Sequence, residues 1–327
     1  MLFLKRYLKG YQDPVVVFGF PYLDTLKMMQ REEINPAGVH FLGFGDGNDI
    51  KALEALLEES KISAIFTEFP SNPLLKCHDL SHLSYLASKY DFLLIVDDTI
   101  SSFANADLLH SSSGPIADII CTSLTKLFSG RGDVLAGSLI LNSQSKDHFE
   151  MSAILSSGKL DTPDLFYADA EILNINSQTF MDRVYRISET SLFLAEWLVS
   201  RKEIQCVYHP GISSGKETYD RFKKKDPKSG YGCLISIVLN PSYCPKKFYD
   251  SLDVCKGPSL GTDYTLVCPY VLLAHYNELD WALKFGLNPN IIRISVGLES
   301  QEELMSKFVY AFEKAANCCW WVIGGVF

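Results

Sequence analysis

The chain lacks the cysteine patterns that mark disulfide scaffolds and zinc sites. Its nine cysteines are scattered, and none of them forms a Cys-x-x-Cys pair. The adjacent Cys318 and Cys319 have poor geometry for a metal site or a disulfide framework. Free thiols persist in a reducing compartment, so this cysteine usage predicts reduced side chains and a cytoplasmic location.

An excess of positive charge is also missing. The 30 Lys and Arg residues against 39 Asp and Glu residues give a formal net charge of −9 at pH 7. Because nucleic-acid binding needs a basic surface, we expect no nucleic-acid partner. The 47% hydrophobic and 21% charged residues are typical of a globular protein with a large core.

Long hydrophobic runs are absent as well. The uncharged C-terminal segment Cys318–Phe327 has about half of the length that spans a bilayer. The segment Met1–Gly10 carries Lys5, Arg6 and Lys9, which predicts a fragment of an amphipathic helix and not a secretory signal. We therefore expect no membrane partner.

The first half of the chain alternates short apolar segments with amphipathic ones. Apolar runs predict strands at Val15–Phe18, Ile62–Thr67 and Phe92–Asp97, and helical spacing predicts helices at Ala52–Glu59 and Asp79–Lys89. This alternation is typical of a doubly wound α/β fold, in which helices cover both faces of a mostly parallel sheet. Ligands of such sheets bind beyond the carboxyl ends of the strands.

The second half follows a different pattern. A helical stretch is followed by three predicted strands and a last helix, at Tyr167–Arg201, Gln205–Tyr208, Gly232–Leu239, Ile291–Val296 and Gln301–Ala316. We expect a large domain at residues 1–166 and a smaller C-terminal α+β domain at residues 167–327. The lysine-rich stretch Gly215–Gly230 predicts a solvated loop.

The most informative segment is the polar, glycine-punctuated run Ser123–Asp133. It follows an apolar strand and contains Lys126 between hydroxyl residues. A lysine at the carboxyl edge of a buried sheet is partly desolvated, which lowers its pKa and leaves a nucleophilic amine able to form an imine. The neighbouring hydroxyls of Ser123 and Thr125 suit a phosphate, or else cap the strand end. Together these groups match the requirements of pyridoxal 5'-phosphate (PLP); the alternative is an ordinary solvated lysine.

A carboxylate ends the neighbouring apolar strand. Asp97 at that position can pair with a protonated pyridine nitrogen, which makes the ring an electron sink. Strand side chains alternate between faces, so only one of Asp97 and Asp98 can face the ring, and we assign Asp97. A cap of the following loop or helix is the alternative. Glu68, Asp97 and Lys126 all fall at or just after strand ends, which predicts one shared site.

Five motifs occur in the order found in the PLP-dependent enzymes of Cys/Met metabolism: Glu68–Pro73, Val96–Thr99, Ser123–Lys126, Gly257–Gly261 and Ile292–Glu299. From about Phe18 to about Ala316 the chain resembles this family of transsulfuration enzymes. The segments Lys256–Thr262 and His275–Ala282 are similar to its fungal cystathionine γ-synthase branch. The resemblance implies the PLP-dependent transferase fold of type I.

The resemblance also implies roles for individual residues. Lys126 would carry PLP, Ser123 and Thr125 would bind its phosphate, Asp97 would pair with the pyridine nitrogen, and Asn72 would donate to the phenolic oxygen. A plain Asn-Pro turn remains an alternative for Asn72.

Arg293 lies in an apolar strand, where an unpaired guanidinium is costly to bury. By the resemblance it binds the α-carboxylate of the substrate, which its fork of donors matches; an internal salt bridge is the alternative. Ser259, again by resemblance, positions the lysine. Gly257–Gly261 also fits the nucleophile elbow of α/β-hydrolases, although the stretch Thr262–Tyr270 that follows does not begin as a helix should.

Phe18 and Gly19 stand where the family usually has a tyrosine followed by a glycine. A phenylalanine ring can stack on the cofactor but supplies no hydroxyl. Tyr22 is the residue that we expect to substitute, on the substrate side of the site.

One part of the family pattern is not found in the sequence. The family completes its phosphate site with backbone amides at a helix N-terminus, an arrangement that favours anions, and with an N-terminal segment from the neighbouring subunit. We therefore expect an N-terminally truncated version of the family. The resemblance further implies a homo-oligomer, a dimer or a tetramer.

The implied activity is a PLP-dependent γ-replacement in methionine biosynthesis. An O-acylhomoserine would react with cysteine, both small amino-acid substrates, to give cystathionine. Two alternatives stay open, namely a β- or γ-lyase that cleaves cystathionine and a catalytically silent homologue that retains PLP poorly.

Overall fold

The computed structural model describes residues 13–111, 114–157 and 165–316. The helix fragment predicted at Met1–Gly10 and the apolar segment Cys318–Phe327 lie outside these residues. None of the helices in the described ranges combines the length and apolar character that crossing a bilayer requires.

Six strands form the first sheet: β1 (Val15–Phe18), β2 (Val39–Leu42), β3 (Ala64–Glu68), β4 (Leu93–Asp97), β7 (Ile119–Ser123) and β8 (Gly137–Leu141). Two short strands between β4 and β7, β5 (His110–Ser111) and β6 (Gly114–Pro115), form a separate hairpin. The sheet order is β2-β1-β3-β4-β7-β8, and every neighbouring pair is parallel except β7 with β8. The predicted mostly parallel sheet is confirmed.

Helices cover both faces of this sheet: α1 (Leu23–Met29), α2 (Gly47–Glu59), α3 (Leu80–Tyr90), α4 (Ser102–Asn105) and α5 (His148–Ser156). Leu53 of α2 and Leu83 of α3 share one buried cluster with Ile65 of β3. On the opposite face, α1 and α5 pack against the sheet around Phe66 of β3. The successive residues Ile65 and Phe66 thus point to opposite faces, as the pleat of a strand requires.

Aspartate caps decide where two of these helices begin. Asp46 accepts hydrogen bonds from the backbone N–H groups of Asn48 and Asp49, so α2 begins before the predicted Ala52. Asp79 caps α3 in the same way. The periodicity of leucines predicted the helices, whereas their first turns are stabilised by the caps.

The second half contains a sheet of its own. Its helices are α6 (Tyr167–Ser177), α7 (Phe180–Val199), α8 (Lys216–Phe222), α9 (Pro245–Ser251), α10 (Tyr270–Ala274), α11 (Leu279–Lys284) and α12 (Gln301–Ala315). Its strands are β9 (Ile204–Tyr208), β10 (Leu234–Leu239), β11 (Cys255–Lys256), β12 (Leu266–Cys268) and β13 (Ile292–Ser295), in the order β11-β12-β13-β10-β9. All neighbours are antiparallel except β11 with β12.

The long helix α7 contacts both halves. Val184 and Ile187, in its first part, pack with Leu127 just after β7. Leu194 and Leu198, in its last part, belong to the core of the second sheet, together with α12. Helix α7 therefore packs in the cores of both halves, while the domain boundary at residues 166 and 167 stays a prediction.

The prediction of a solvated loop at Gly215–Gly230 is wrong in its first part. Helix α8 occupies Lys216–Phe222, and Tyr219 and Phe222 are buried against the ring of Phe69. The polar residues Lys216, Glu217 and Arg221 of this helix are exposed to solvent, whereas its two aromatic residues, spaced three apart, face the core.

Arg183 of α7 ties the segment after β7 to the loop before β12. Its guanidinium donates to the carbonyl oxygens of Leu127 (3.2 Å) and Phe128 (2.8 Å) and forms an ion pair with Asp263 (3.1 Å). The Arg183 side chain is only 7% exposed. Each of these acceptors would be left without this donor if the guanidinium were removed.

We expect the substitution Arg183→Leu to lower the free energy of unfolding by about 3–5 kcal/mol, because it leaves a shielded carboxylate and buried carbonyls unpaired. Denaturant unfolding of the purified chain measures this. Arg186→Leu, at an exposed position one turn further along α7, is the matched control and should change stability by less than about 0.5 kcal/mol. Equal effects of the two substitutions would contradict the role of Arg183.

Candidate active site

A cavity of about 620 Å³ opens between the carboxyl ends of the first sheet and the second sheet. Most of the predicted site residues line it, although they come from distant parts of the chain: Tyr22, Asn72, Asp97, Ser123, Thr125, Lys126, Ser259 and Arg293. Phe18 and Gly19 are not part of this lining.

The parallel register explains why residues far apart in sequence meet here. Glu68 at the end of β3 pairs with Asp97 at the end of β4, and Asp97 pairs in turn with Cys121 of β7. The second half supplies Arg293 from β13 and Ser259 from the loop between β11 and β12. Both halves of the chain therefore contribute to one cavity.

Lys126 lies in a tight turn, Leu124–Phe128, directly after β7. Its backbone departs from helical geometry (φ −85°, ψ −126°), and its Nζ donates to Ser259 Oγ at 2.9 Å. Burial lowers the pKa of the Lys126 amine, and the neighbouring Arg293 guanidinium lowers it further. A half-buried amine with these neighbours differs from the fully solvated lysine that was the alternative.

Asp97 faces the cavity and Asp98 does not. The Asp97 carboxylate accepts a hydrogen bond from the Thr99 backbone N–H (2.9 Å), whereas Asp98 is buried and accepts from the Thr122 hydroxyl. Burial raises the pKa of Asp97, although the hydrogen bonds that it accepts from Thr99 oppose this rise. Asp97 therefore also caps the turn at Thr99. The capping role that was the alternative for Asp97 and its position in the cavity are compatible.

Glu68 is a further carboxylate in the site. It is 5% exposed, and its oxygens accept hydrogen bonds from the backbone N–H groups of Tyr22 (2.6 Å) and Asn72 (3.2 Å). Burial, and secondly the charge of Asp97, raise the pKa of Glu68 to about 8. Its place at a strand end indicated membership of the site, but the sequence did not indicate that it anchors two other cavity residues.

Arg293 is buried and has no ion pair with a carboxylate among the residues that the structure describes. Its guanidinium donates instead to the carbonyl oxygens of Pro258 and Ser259 and to Asn72 Oδ1 (3.1 Å). The internal salt bridge considered for Arg293 is therefore not found in the described ranges. A cation whose described partners are neutral groups suits a carboxylate ligand.

Tyr270 is a cavity residue that sequence reasoning missed. Its ring lies over the guanidinium of Arg293, with 4.5 Å between Cζ and the ring centroid, and its hydroxyl accepts a hydrogen bond from Asn72 Nδ2 at 2.9 Å. Tyr270 stands at the end of the stretch Thr262–Tyr270, in which the sequence pattern indicated no functional residue. No local signal separates it from a core residue.

Ser123 and Thr125 line the cavity at the end of β7. The Thr125 hydroxyl accepts from the backbone N–H of Ala136 (3.0 Å), so it also fastens the connection to β8. An amine with a lowered pKa, a facing carboxylate and two hydroxyls thus share one cavity. This set of groups fits the aldehyde, pyridine nitrogen and phosphate of PLP. Phosphate binding by Ser123 and Thr125 stays a prediction.

The structure contradicts the expected stacking contact of Phe18. The Phe18 ring is 2% exposed and packs edge-on against His78, with 5.3 Å between ring centroids, on the face of the sheet that α2 and α3 cover. Strand alternation directs this side chain into the core and away from the cavity. Tyr22, at the start of α1, is the aromatic residue of this segment that lines the cavity.

Gly19 has a packing role and does not line the cavity. Its backbone adopts φ +82°, and a Cβ at this position would overlap the His78 ring. Glycine is therefore required here by both conformation and space. The predicted contact of Gly19 with the cofactor is replaced by a contact with a buried histidine.

The hydrolase alternative is wrong. The chain after Gly261 continues to β12 and does not form the helix that a nucleophile elbow requires. His275 pairs with Glu278 at 2.9 Å, and Ser259 Oγ accepts a hydrogen bond from Lys126, so His275 does not activate this serine.

Comparisons with known proteins identify relatives along most of the chain. The family described as Cys/Met metabolism PLP-dependent enzyme matches residues 8–313. Cystathionine gamma-synthase of Neurospora crassa is 41% identical over 301 residues, covering 92% of this chain and 47% of that protein. Its counterpart in Saccharomyces cerevisiae is 40% identical over 318 residues, covering 94% of this chain and 48% of that protein. The chain thus spans about half the length of the curated relatives that it matches.

Solved structures share the fold. A cystathionine gamma-lyase from Lactobacillus plantarum in complex with L-serine superimposes with a TM-score of 0.79 at 22% identity, covering 96% of this chain and 80% of that chain. A cystathionine gamma synthase from Xanthomonas oryzae pv. oryzae, in complex with aminoacrylate and cysteine, has a TM-score of 0.78 at 23% identity, covering 93% and 76%.

Substitutions at two glycines separate conformation from space. Gly38 has a similar backbone angle to Gly19 (φ +88°), but no atom lies within 4 Å of a Cβ added there. We expect Gly38→Ala to cost about 1–2 kcal/mol of stability through backbone strain alone. Gly19→Ala should cost about 1–3 kcal/mol more, because the methyl group overlaps His78. Denaturant unfolding of both variants measures the difference, and equal losses would contradict the packing role of Gly19.

The buried Glu68 predicts a pH dependence of stability. Its pKa is raised from 4.5 to about 8 in the folded chain, so the folded state holds a proton that the unfolded state releases. Stability should therefore fall between about pH 5 and pH 8, by on the order of 1–3 kcal/mol from this group. Glu68→Gln should flatten the fall, as measured by denaturant unfolding of the cofactor-free chain. The exposed control Glu58→Gln should follow the wild type, and parallel curves for all three proteins would refute the assignment.

Proposed function

The chain belongs to the Cys/Met metabolism PLP-dependent enzyme family, and on this premise we propose that it catalyses a γ-replacement on an O-acylhomoserine. Cysteine would be the second substrate and cystathionine the product. The observation that carries the proposal is the cavity in which Lys126, with its lowered pKa, lies with Asp97 and with an Arg293 that has no carboxylate partner among the described residues.

The residues that would hold PLP are those that fit its groups: Lys126 for the aldehyde carbon, Asp97 for the pyridine nitrogen, Ser123 and Thr125 for the phosphate, Asn72 for the phenolic oxygen and Tyr22 for the ring face. When bound, PLP supplies an electron sink that stabilises negative charge on substrate carbon atoms.

Lys126 serves as the base and acid of the site. Its lowered pKa favours the neutral amine, which can remove a proton from the substrate Cα. The same amine can then move the proton at Cβ. Ser259 Oγ, 2.9 Å from Nζ, accepts a hydrogen bond that holds the amine within the cavity.

Arg293 binds the α-carboxylate of the substrate. Carbonyl and amide oxygens fix the direction of its fork, and the side chain is 3% exposed, so water competes little with a ligand. Charge complementarity therefore orients an amino acid with its carboxylate at β13 and its amino group toward Lys126.

The overall reaction balances without a further reactant. The bond between Cγ and the acyl oxygen breaks, and the acyl group leaves as a carboxylate. The sulfur of cysteine forms a new bond to Cγ after its thiol releases a proton. The oxidation state of the substrates together does not change.

A homo-oligomer and a cytoplasmic location are part of the proposal. Large aromatic side chains on α5 and at the start of α6, namely Phe149, Phe166 and Tyr167, are exposed to solvent. Such exposed side chains support association between copies of the chain.

The cavity lining contains Lys126 and Arg293 as its cationic residues. Because these two are assigned to the aldehyde and to the substrate carboxylate, the hydroxyl groups of this chain are left as donors to the phosphate of PLP.

An absorption spectrum of the purified chain before and after addition of PLP tests the proposal. We expect a visible band, and borohydride reduction should attach the cofactor to Lys126 in a peptide map. Lys126→Ala should abolish both signals, whereas Lys256→Ala, outside the cavity lining, should retain them. A colourless wild-type chain would support a silent homologue and refute the enzyme.

Product analysis then separates the reactions. O-acetylhomoserine or O-succinylhomoserine with cysteine should give cystathionine and the free acid, and Arg293→Met should lower kcat/KM by about 100-fold or more, because a charged hydrogen-bond donor is lost. Cleavage of cystathionine in the absence of these substrates would instead indicate a lyase.

A further inference from the structure

The hydroxyl of Tyr270 is linked to Arg293 through the side-chain amide of Asn72. It accepts a hydrogen bond from Asn72 Nδ2 (2.9 Å), while Asn72 Oδ1 accepts from Arg293 Nη1 (3.1 Å). One amide thus holds both the phenol and the guanidinium. Because the phenolic oxygen acts as an acceptor toward Asn72, its own hydrogen is left to donate elsewhere. No acceptor for that hydrogen is found in the described part of the chain.

The Tyr270 side chain is fixed in place. It is 4% exposed, and its ring lies 4.5 Å from Arg293 Cζ, a distance typical of cation–π contacts. Its ring centroid also lies 6.1 Å from that of His275, which pairs with Glu278. A donor held by packing against fixed neighbours loses little conformational entropy when it binds a ligand.

The phenol also remains neutral and able to donate. Burial raises the pKa of Tyr270 above its ordinary value, and Glu68 adds to this effect, although Arg293 opposes it. Across the working pH range of an amino-acid enzyme the hydroxyl therefore keeps its hydrogen. A neutral donor beside a cation is an arrangement that favours an anionic ligand over a neutral one.

We propose that Tyr270 is a second substrate-binding residue, whose hydroxyl donates to the carboxylate that Arg293 binds. Tyr270 thereby contributes to the selection of α-amino acids over amines that lack a carboxylate. The inference rests on the proposed function, since it concerns the same carboxylate. Asn72 is the residue that directs the donor, because it occupies the acceptor side of the phenolic oxygen.

Two unreactive ligands isolate the carboxylate. L-norvaline has an unsubstituted side chain with no leaving group, and n-butylamine is the same molecule without its carboxylate. Titration of the PLP-loaded protein with each ligand, followed by the visible absorption of the cofactor, gives two dissociation constants that do not depend on turnover.

Tyr270→Phe removes the hydroxyl and keeps the ring over Arg293. We expect it to weaken L-norvaline about 10-fold or more and to change n-butylamine by less than about 2-fold. Tyr270→Leu, which also removes the ring, should weaken L-norvaline further, and Arg293→Met gives the reference loss for the carboxylate. A thermal unfolding scan and the PLP absorbance of each variant show that it is folded and loaded.

The other possible results would contradict either the role of Tyr270 or the proposed function. If Tyr270→Phe binds both ligands as the wild type does, or weakens both equally, Tyr270 acts only through packing and the inference fails while the proposed function stands. If the wild-type chain takes up no PLP, the proposed function fails and the inference falls with it.

Discussion

The site depends on the burial of ionisable side chains in a cavity that gives them little contact with water. Two carboxylates, Glu68 and Asp97, and two cationic side chains, Lys126 and Arg293, line the same space but form no direct ion pair with one another in the described ranges. Burial is therefore the largest influence on three of these groups: it raises the pKa of Glu68 and Asp97 and lowers that of Lys126. The like charges of Asp97 and Arg293 add to the shifts of Glu68 and Lys126, respectively. A protonated ring nitrogen bound at Asp97 and a substrate carboxylate bound at Arg293 would supply the opposite charges that these two side chains lack in the described structure.

The architecture keeps these charges apart and in place. The parallel strands β3, β4 and β7 end at one edge and present the carboxylates and the lysine, while β13 of the second sheet presents the arginine. Helix α7 packs on both halves, and its Arg183 fixes the turn that carries Lys126. The stability of the fold and the geometry of the site therefore depend on the same contacts between the halves.

Much of the candidate site could be predicted because its residues occur at strand ends, which apolar runs in the sequence identify. Asp97 and Lys126 follow apolar runs, and the ends of neighbouring parallel strands meet by geometry. The resemblance to the family, whose model matches residues 8–313, added Asn72, Ser259 and Arg293 to the list. Phe18 was assigned from a motif position alone, whereas the alternation along β1 directs that ring into the core. Helix α8 was missed because only two of its seven residues, Tyr219 and Phe222, are buried, and this is too few to give a helical pattern.

The sequence by itself determined the order of strands and helices, the family and the residues at the strand ends. These follow from periodicity, from capping and turn residues, and from motifs that are each a few residues long. Only the tertiary structure decided which side chains hold one another across the cavity. Tyr270 and Asn72 are separated by 198 positions and Arg293 and Asn72 by 221, yet each pair shares a hydrogen bond. Such contacts leave no local pattern, because they depend on how the two sheets pack and not on the residues beside them in the chain.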